Sequence, residues 1–251
     1  MWARIMSERF GAQNENSLKL RFHTQTAGSS LTAQQAENNI VRTTVQALSA
    51  ILGGTQSLHT NAFDEALALP TEKSAGIALR TQQVLANEAG LTDTTDPLAG
   101  SYFIESLTDA VEEEAWGYIK RIDEMGGSVK AIEQRYMQGE IEESAYRYQR
   151  EFEREERIIV GVNRYETDED PEMDLHTVDE TIRDRQTERL EELKESRDSS
   201  TVEKSLADLK RAAEGSDNLL YPMKEALSNL ATLGEVSDTL REVFGQYRPS
   251  S

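Results

Sequence analysis

Hydrophobic and polar residues alternate one by one in two short stretches near the start of the chain. In residues 18–25, Leu18, Leu20 and Phe22 take one side, and Lys19, Arg21, His23 and Gln25 take the other. In residues 55–61, Thr55, Ser57, His59 and Asn61 share a side, with Leu58 opposite. Such alternation predicts half-buried strands, because successive strand side chains point to opposite faces. Between the two stretches, Ile40, Val41, Thr44, Val45, Leu48, Ile51 and Leu52 recur at helical spacing, and Gly53-Gly54 ends the run. Thr32 and Gln35 stand at capping-box spacing ahead of it. Strand, helix and strand within about 45 residues predict a βαβ unit with parallel strands.

The polar side of these strands changes the picture. Parallel strands are normally covered on both faces and read as near-continuous apolar runs. Here one face carries His, Gln, Arg, Ser and Thr. An edge strand with a solvated face explains this, and so does a barrel whose interior holds a polar ligand. Periodicity leaves both open.

The rest of the chain reads as helix. A helix over residues 1–10 stops at Gly11, and Thr71 caps a helix over 72–89 that ends at Gly90. After a loop holding Asp96-Pro97, a long helix is expected over 108–125, with Val111, Ala115, Ile119 and Ile122 inward. Helices over 128–137 and 140–156 follow, then a short apolar strand over 158–162 and an acidic loop over 167–174. Further helices are expected over 180–196, 202–214 and 218–231. Thr232 and Glu235 form a capping box before the last, over 236–244. The chain thus divides into a βα part, residues 1–100, and a mainly helical appendage, residues 101–251.

With 251 residues the chain can bury a sizeable core. It holds no run of about 18 apolar residues, so no transmembrane helix is expected. The first residues turn polar too soon for a signal peptide. Zero cysteines exclude disulfides and thiolate metal sites and suit a cytoplasmic protein. The net charge of −19 is concentrated in the middle, where residues 101–200 carry 29 acidic and 14 basic side chains. Such a surface repels nucleic acid and anionic membranes, so neither is an expected partner. It reads as a solvated face suited to high salt or, alternatively, as a docking face for a basic partner.

The residues also carry a resemblance. Residues 22–28, Phe-His-Thr-Gln-Thr-Ala-Gly, are followed by 37–42, Glu-Asn-Asn-Ile-Val-Arg, and by 54–70, Gly-Thr-Gln-Ser-Leu-His-Thr-Asn-Ala-Phe-Asp-Glu-Ala-Leu-Ala-Leu-Pro. The similarity continues through 96–102, Asp-Pro-Leu-Ala-Gly-Ser-Tyr, through Glu124-Met125-Gly126-Gly127, and through 159–165, Ile-Val-Gly-Val-Asn-Arg-Tyr. In this order they resemble the methylmalonyl-CoA mutase large-subunit family of adenosylcobalamin-dependent acyl-CoA mutases.

The resemblance implies an α/β fold: the last two βα units of a (β/α)8 TIM barrel, then a helical linker. It implies an isomerase that rearranges (R)-methylmalonyl-CoA to succinyl-CoA by radical chemistry, with isobutyryl, hydroxyisobutyryl or ethylmalonyl esters as alternatives. A non-catalytic assembly partner is the alternative outside enzymes. The partners implied are an acyl-CoA substrate, an N-terminal barrel portion and a separate cobalamin-binding subunit that supplies the cobalt ligand. The matching position assigns His23 to substrate, where a lone strand histidine would otherwise read as structural; Arg21 shares its face and would meet a CoA phosphate or carbonyl, with a surface arginine as the alternative. Gln25, Gly28, Glu65, Ala66 and Ala68 match positions on the cobalamin side. Glu65 would accept hydrogen bonds from the adenosyl ribose, or else serve a helix start. His59 lines the same face without an assigned role. His176 sits in Asp174-Leu175-His176, near a cobalt-binding signature, but Asp179 replaces its glycine; it is expected to be a surface residue.

Overall fold

The computed structural model describes residues 1–168 and 173–248. The chain divides into two units, Met1–Thr177 and Val178–Ser251. Among the described residues it is mostly helical, with one small parallel sheet, as an α/β chain can be.

In the first unit, helix α1 (Trp2–Arg4) runs into a π-helical turn (Ile5–Arg9), and Gly11 at φ +63° ends it. Helix α2 (Glu15–Leu18) is capped by the Asn14 side chain. Strands β1 (His23–Gln25) and β2 (Ser57–His59) pair in parallel, His23 opposite Ser57 and Gln25 opposite His59. The parallel pairing agrees with the sequence expectation; the strand length does not. Leu18 belongs to α2, and the backbone at residues 20–22 bonds to a side chain instead of a ladder. Gln56 Oε1 accepts from Phe22 N at 2.9 Å and Gln56 Nε2 donates to Leu20 O at 3.3 Å. Leu20 and Phe22 are consequently exposed rather than inward.

Helix α3 (Asn38–Leu52) buries Asn39, Thr43 and Ala47. Its end follows the expectation: Gly54 adopts φ +79°, a conformation that a β-carbon disfavours, and Thr55 N reaches back to Ala50 O at 3.1 Å. Its start does not. The Thr32 hydroxyl donates to Gln34 O, and Gln35 at φ +47° sends its amide to Tyr165 O, so neither caps the helix. Helix α4 (Glu72–Asn87) has the expected Thr71 cap, which accepts from Ser74 N.

Helix α5 (Tyr102–Glu124) starts earlier than residue 108 and buries nothing fully. Ala115, Ile119 and Ile122 are half-buried, whereas Val111 is exposed. Arg9 grips Asp123 at its end through two bonds of 2.9 and 2.7 Å. Helices α6 (Ser128–Glu133) and α7 (Tyr136–Glu153) join through Arg135 at φ +59°. The strand expected over 158–162 is a tight turn instead. Gly161 at φ +79° lets its N–H reach Arg164 O at 2.7 Å, and Val160 forms an isolated bridge to Arg164. Of the acidic loop expected over 167–174, residues 169–172 lie outside the described residues. The buried apolar residues of this unit are mostly alanines, beside buried Thr26, Asn39, Thr43, Thr60, Asn61, Asp64 and Ser74.

The second unit has helices α8 (Glu180–Ser196), α9 (Ser199–Glu214), α10 (Leu220–Ser228) and α11 (Leu233–Phe244). Helices α9–α11 enclose Val202, Leu209, Ala226, Ala231 and Val236, with Leu206, Leu219, Met223 and Leu240 around them. Asp198 caps α9, accepting from the amides and hydroxyls of Ser200 and Thr201, and those hydrogen bonds hold its carboxyl down to about 2. The expected Thr232–Glu235 capping box opens α11. Among the described residues no helix is long and apolar enough to cross a membrane.

Candidate functional site

The short parallel sheet presents one polar face outward. Residues with the same parity in β1 and β2 share a face, so His23, Gln25, Ser57 and His59 lie together, and all four are exposed. Thr24 and Leu58, on the other face, are half-buried, and Thr24 Oγ1 donates to Thr55 Oγ1 at 2.7 Å. His23 Nδ1 meets Ser57 Oγ at 2.7 Å, which fixes the ring and leaves Nε2 available.

The polar face continues past the carboxyl ends of both strands, the end at which parallel α/β sheets carry their ligands. Thr26 N donates to His59 O at 3.1 Å, carrying the ladder one residue beyond β1. The buried Thr26 hydroxyl donates to Asn61 Oδ1 at 2.5 Å and accepts from Asn61 N at 2.9 Å. Asn61 Nδ2 then donates to Glu65 Oε2, while Ala62 N donates to Glu65 Oε1 at 2.6 Å. Glu65 is half-buried at the edge of a depression of about 210 Å³ that His59, Ala62 and Gln82 also line.

Gly28 opens a 3₁₀ turn (Gly28–Ser30) with a β-carbon position that would meet only Asn61 Nδ2, at an ordinary 3.7 Å. Neither its backbone nor its neighbours in this chain demand glycine. Ala66 is exposed and Ala68 half-buried, in a turn held by Leu67 N and Ala68 N donating to Asp64 O. Strand pairing sets His23 and Gln25 beside Ser57 and His59, and Asn61 lies between Gly28 and Glu65. Arg21 is exposed two residues ahead of β1, off the ladder, and His176 is exposed in the segment between α7 and α8. Among the described residues, no group of three His, Asp or Glu side chains is placed to hold a metal ion.

The model of the family described as Methylmalonyl-CoA mutase matches residues 1–246. The chain belongs to the methylmalonyl-CoA mutase family. It is 47% identical over 251 residues to a methylmalonyl-CoA mutase of Rhizobium meliloti (strain 1021), and 48% over 248 residues to one of Escherichia coli (strain K12). Each alignment covers 98% of this chain and 35% of the relative. A 2-hydroxyisobutanoyl-CoA mutase large subunit of Aquincola tertiaricarbonis is 42% identical over 249 residues, covering 98% of this chain and 44% of that one. The chain thus spans about 35% of the length of the first two mutases.

Two buried members of the site, Thr26 and Asn61, were not singled out as site residues from the sequence. Their signal was slight: a threonine directly after β1 and an asparagine two residues after β2 are common loop residues. Only the pairing of the two strands brings them to one hydrogen bond, 35 residues apart in the chain.

Proposed function

We propose that this chain is part of an adenosylcobalamin-dependent isomerase that interconverts (R)-methylmalonyl-CoA and succinyl-CoA, working in the cytoplasm. In that reading residues 1–100 are the last two βα units of a (β/α)8 barrel, and residues 101–251 are its linker. The remaining barrel strands and the cobalamin-binding module, with its cobalt ligand, lie elsewhere in the same polypeptide or on partner chains.

One observation carries the reading. An exposed polar face on a parallel sheet ends, at the carboxyl ends of its strands, beside a loop that carries Gly28 and the half-buried carboxylate of Glu65, joined to it by the buried Thr26–Asn61 pair. A face of that kind is built for a polar ligand rather than for a core. When bound, adenosylcobalamin supplies the radical chemistry by which the thioester group and a hydrogen on the neighbouring carbon change places. The chain's own groups bind and orient. His23, its ring fixed by Ser57, offers Nε2 to the acyl-CoA carbonyl, and Arg21 offers a cation to a CoA oxygen. Gln25, Gly28, Ala66 and Ala68 give the corrin a close, uncharged bed. Glu65 accepts from ribose hydroxyls, using lone pairs that Asn61 and Ala62 leave free.

The 2-hydroxyisobutanoyl-CoA mutase relative favours a second reading of the substrate, a branched hydroxyacyl-CoA ester. Both are tested together. The chain is assembled with the polypeptides that supply the rest of the barrel and the cobalamin module, loaded with adenosylcobalamin, and offered each ester separately. Succinyl-CoA formation supports the first reading, and turnover of the hydroxyacyl ester alone supports the second. An assembly that binds neither cofactor nor ester leaves the chain a non-catalytic partner.

A further inference from the structure

Thr26 has a single hydroxyl proton, and the structure determines where it goes. Asn61 N–H points at Thr26 Oγ1 at 2.9 Å, so the hydroxyl oxygen is used there as an acceptor. Its proton must therefore go outward, to the group 2.5 Å away on the Asn61 side chain. That group is Asn61 Oδ1, since the Glu65 carboxylate on the far side can only accept and so takes the NH₂ end of the amide. With Oδ1 turned to Thr26, Nδ2 is turned to Glu65 and donates to its Oε2. The other carboxylate oxygen is held by Ala62 N–H. Thr26 and Asn61 are 4% exposed, so water does not compete for these bonds.

We infer that Thr26 is a positioning residue: its hydroxyl holds Asn61 by both its backbone N–H and its side-chain oxygen, and Asn61 in turn holds Glu65 in place at the cofactor face. The inference rests on the proposed function for the role of Glu65, and goes beyond it in assigning what holds that carboxylate. The chain of bonds has one direction. Reversing the Asn61 amide would set two acceptors against each other at Glu65 and leave the Thr26 proton without Oδ1. Glu65 is thus steered from the other strand's loop rather than from its own turn alone. The same amide borders Gly28, whose β-carbon position lies 3.7 Å from Nδ2, so one side chain keeps both cofactor-side positions in register.

The test uses the assembled holoenzyme with Thr26→Val, which removes the hydroxyl at nearly constant volume, and Thr26→Ser, which keeps it. Thr26→Ala carries the same comparison if the valine variant does not assemble. Spectral titration with adenosylcobalamin, a melt of each protein and the KM for acyl-CoA are measured beside Glu65→Gln. The expected result is a loss of cofactor affinity of roughly tenfold in Thr26→Val, as one misplaced charged hydrogen bond implies, with Thr26→Ser within about twofold of the parent. The acyl-CoA KM should not move, since His23 and Ser57 stand apart from this chain of bonds. Equal affinity in parent and Thr26→Val, or equal losses in the valine and serine variants, would overturn the inference while a weakened Glu65→Gln left the reading of Glu65 standing. Unchanged affinity in Glu65→Gln would remove both.

Discussion

Arg197 and Glu235 meet end to end, with Arg197 Nη1 on Glu235 Oε2 at 2.7 Å and Nη2 on Oε1 at 2.5 Å. The same guanidinium donates to Leu230 O at 2.9 Å, and the same carboxylate closes the capping box of α11 through Thr232. One pair therefore joins the end of α8 to the start of α11. Glu235→Gln keeps the shape but loses the charge. It should destabilise the 178–251 unit by about 1.5–3 kcal/mol, read as a lowered melting midpoint of the full chain.

That pair also sets a pH dependence. The Arg197 hydrogen bonds, with those from Thr232, hold the Glu235 carboxyl down to about 2 against an ordinary 4.5. The unfolded chain takes up the proton first, so acid favours unfolding. The pair's stabilisation is complete above about 4.5 and is lost as pH falls from there toward 2. Melts at a series of pH values should show the parent and Glu235→Gln converging across that window. A constant gap would assign the effect to packing.

Ser57 is expected to act through His23. Ser57→Ala releases the ring at Nδ1 without touching the fold, because Ser57 Oγ is exposed. In the assembled enzyme the acyl-CoA KM should rise severalfold, the scale of one neutral hydrogen bond, while cofactor affinity stays at the parent value. Steady-state kinetics beside a cofactor titration makes the check.

Gly161→Ala should be costly for two reasons. Its φ of +79° disfavours any β-carbon, and that carbon would stand 2.8 Å from Gln35 Cδ. Gln35 would give way and lose its bond to Tyr165 O. Denaturant unfolding should show a loss of about 1–3 kcal/mol.

Added salt should raise the melting midpoint. Residues 101–200 carry an excess of 15 acidic side chains, and screening relieves their mutual repulsion. Melts at low and molar potassium chloride compare the two. A flat response would mean that local ion pairs such as Arg157–Glu151 and Arg164–Glu155 already balance the field.

What could be read in advance was what depends on neighbours in sequence. The Thr71 cap, the Gly53-Gly54 stop and the Thr232–Glu235 box each involve partners within a few residues, so spacing suffices. Thr32 and Gln35 have box spacing too, yet Gln35 is drawn to Tyr165, a partner 130 positions away that no local pattern signals. Strand length failed in the same way, since Gln56 replaces a ladder partner at Leu20 and Phe22. At the site, the face of His23 and Gln25 was legible from alternation. The Thr26–Asn61–Glu65 sequence of bonds was not, because it depends on which two strand ends lie side by side.

The Arg9–Asp123 grip closes a loop of 114 residues. Bringing such distant positions together costs entropy that grows with the logarithm of loop length, and two exposed charge-assisted bonds return little of it early on. Capped helices such as α4 hold their contacts locally and can form first. The N-terminal ten residues should then dock late in folding and open first afterwards. The amide protons of Ile5 and Phe10, bonded to Met1 O and Ile5 O, would then exchange before those in the middle of α3.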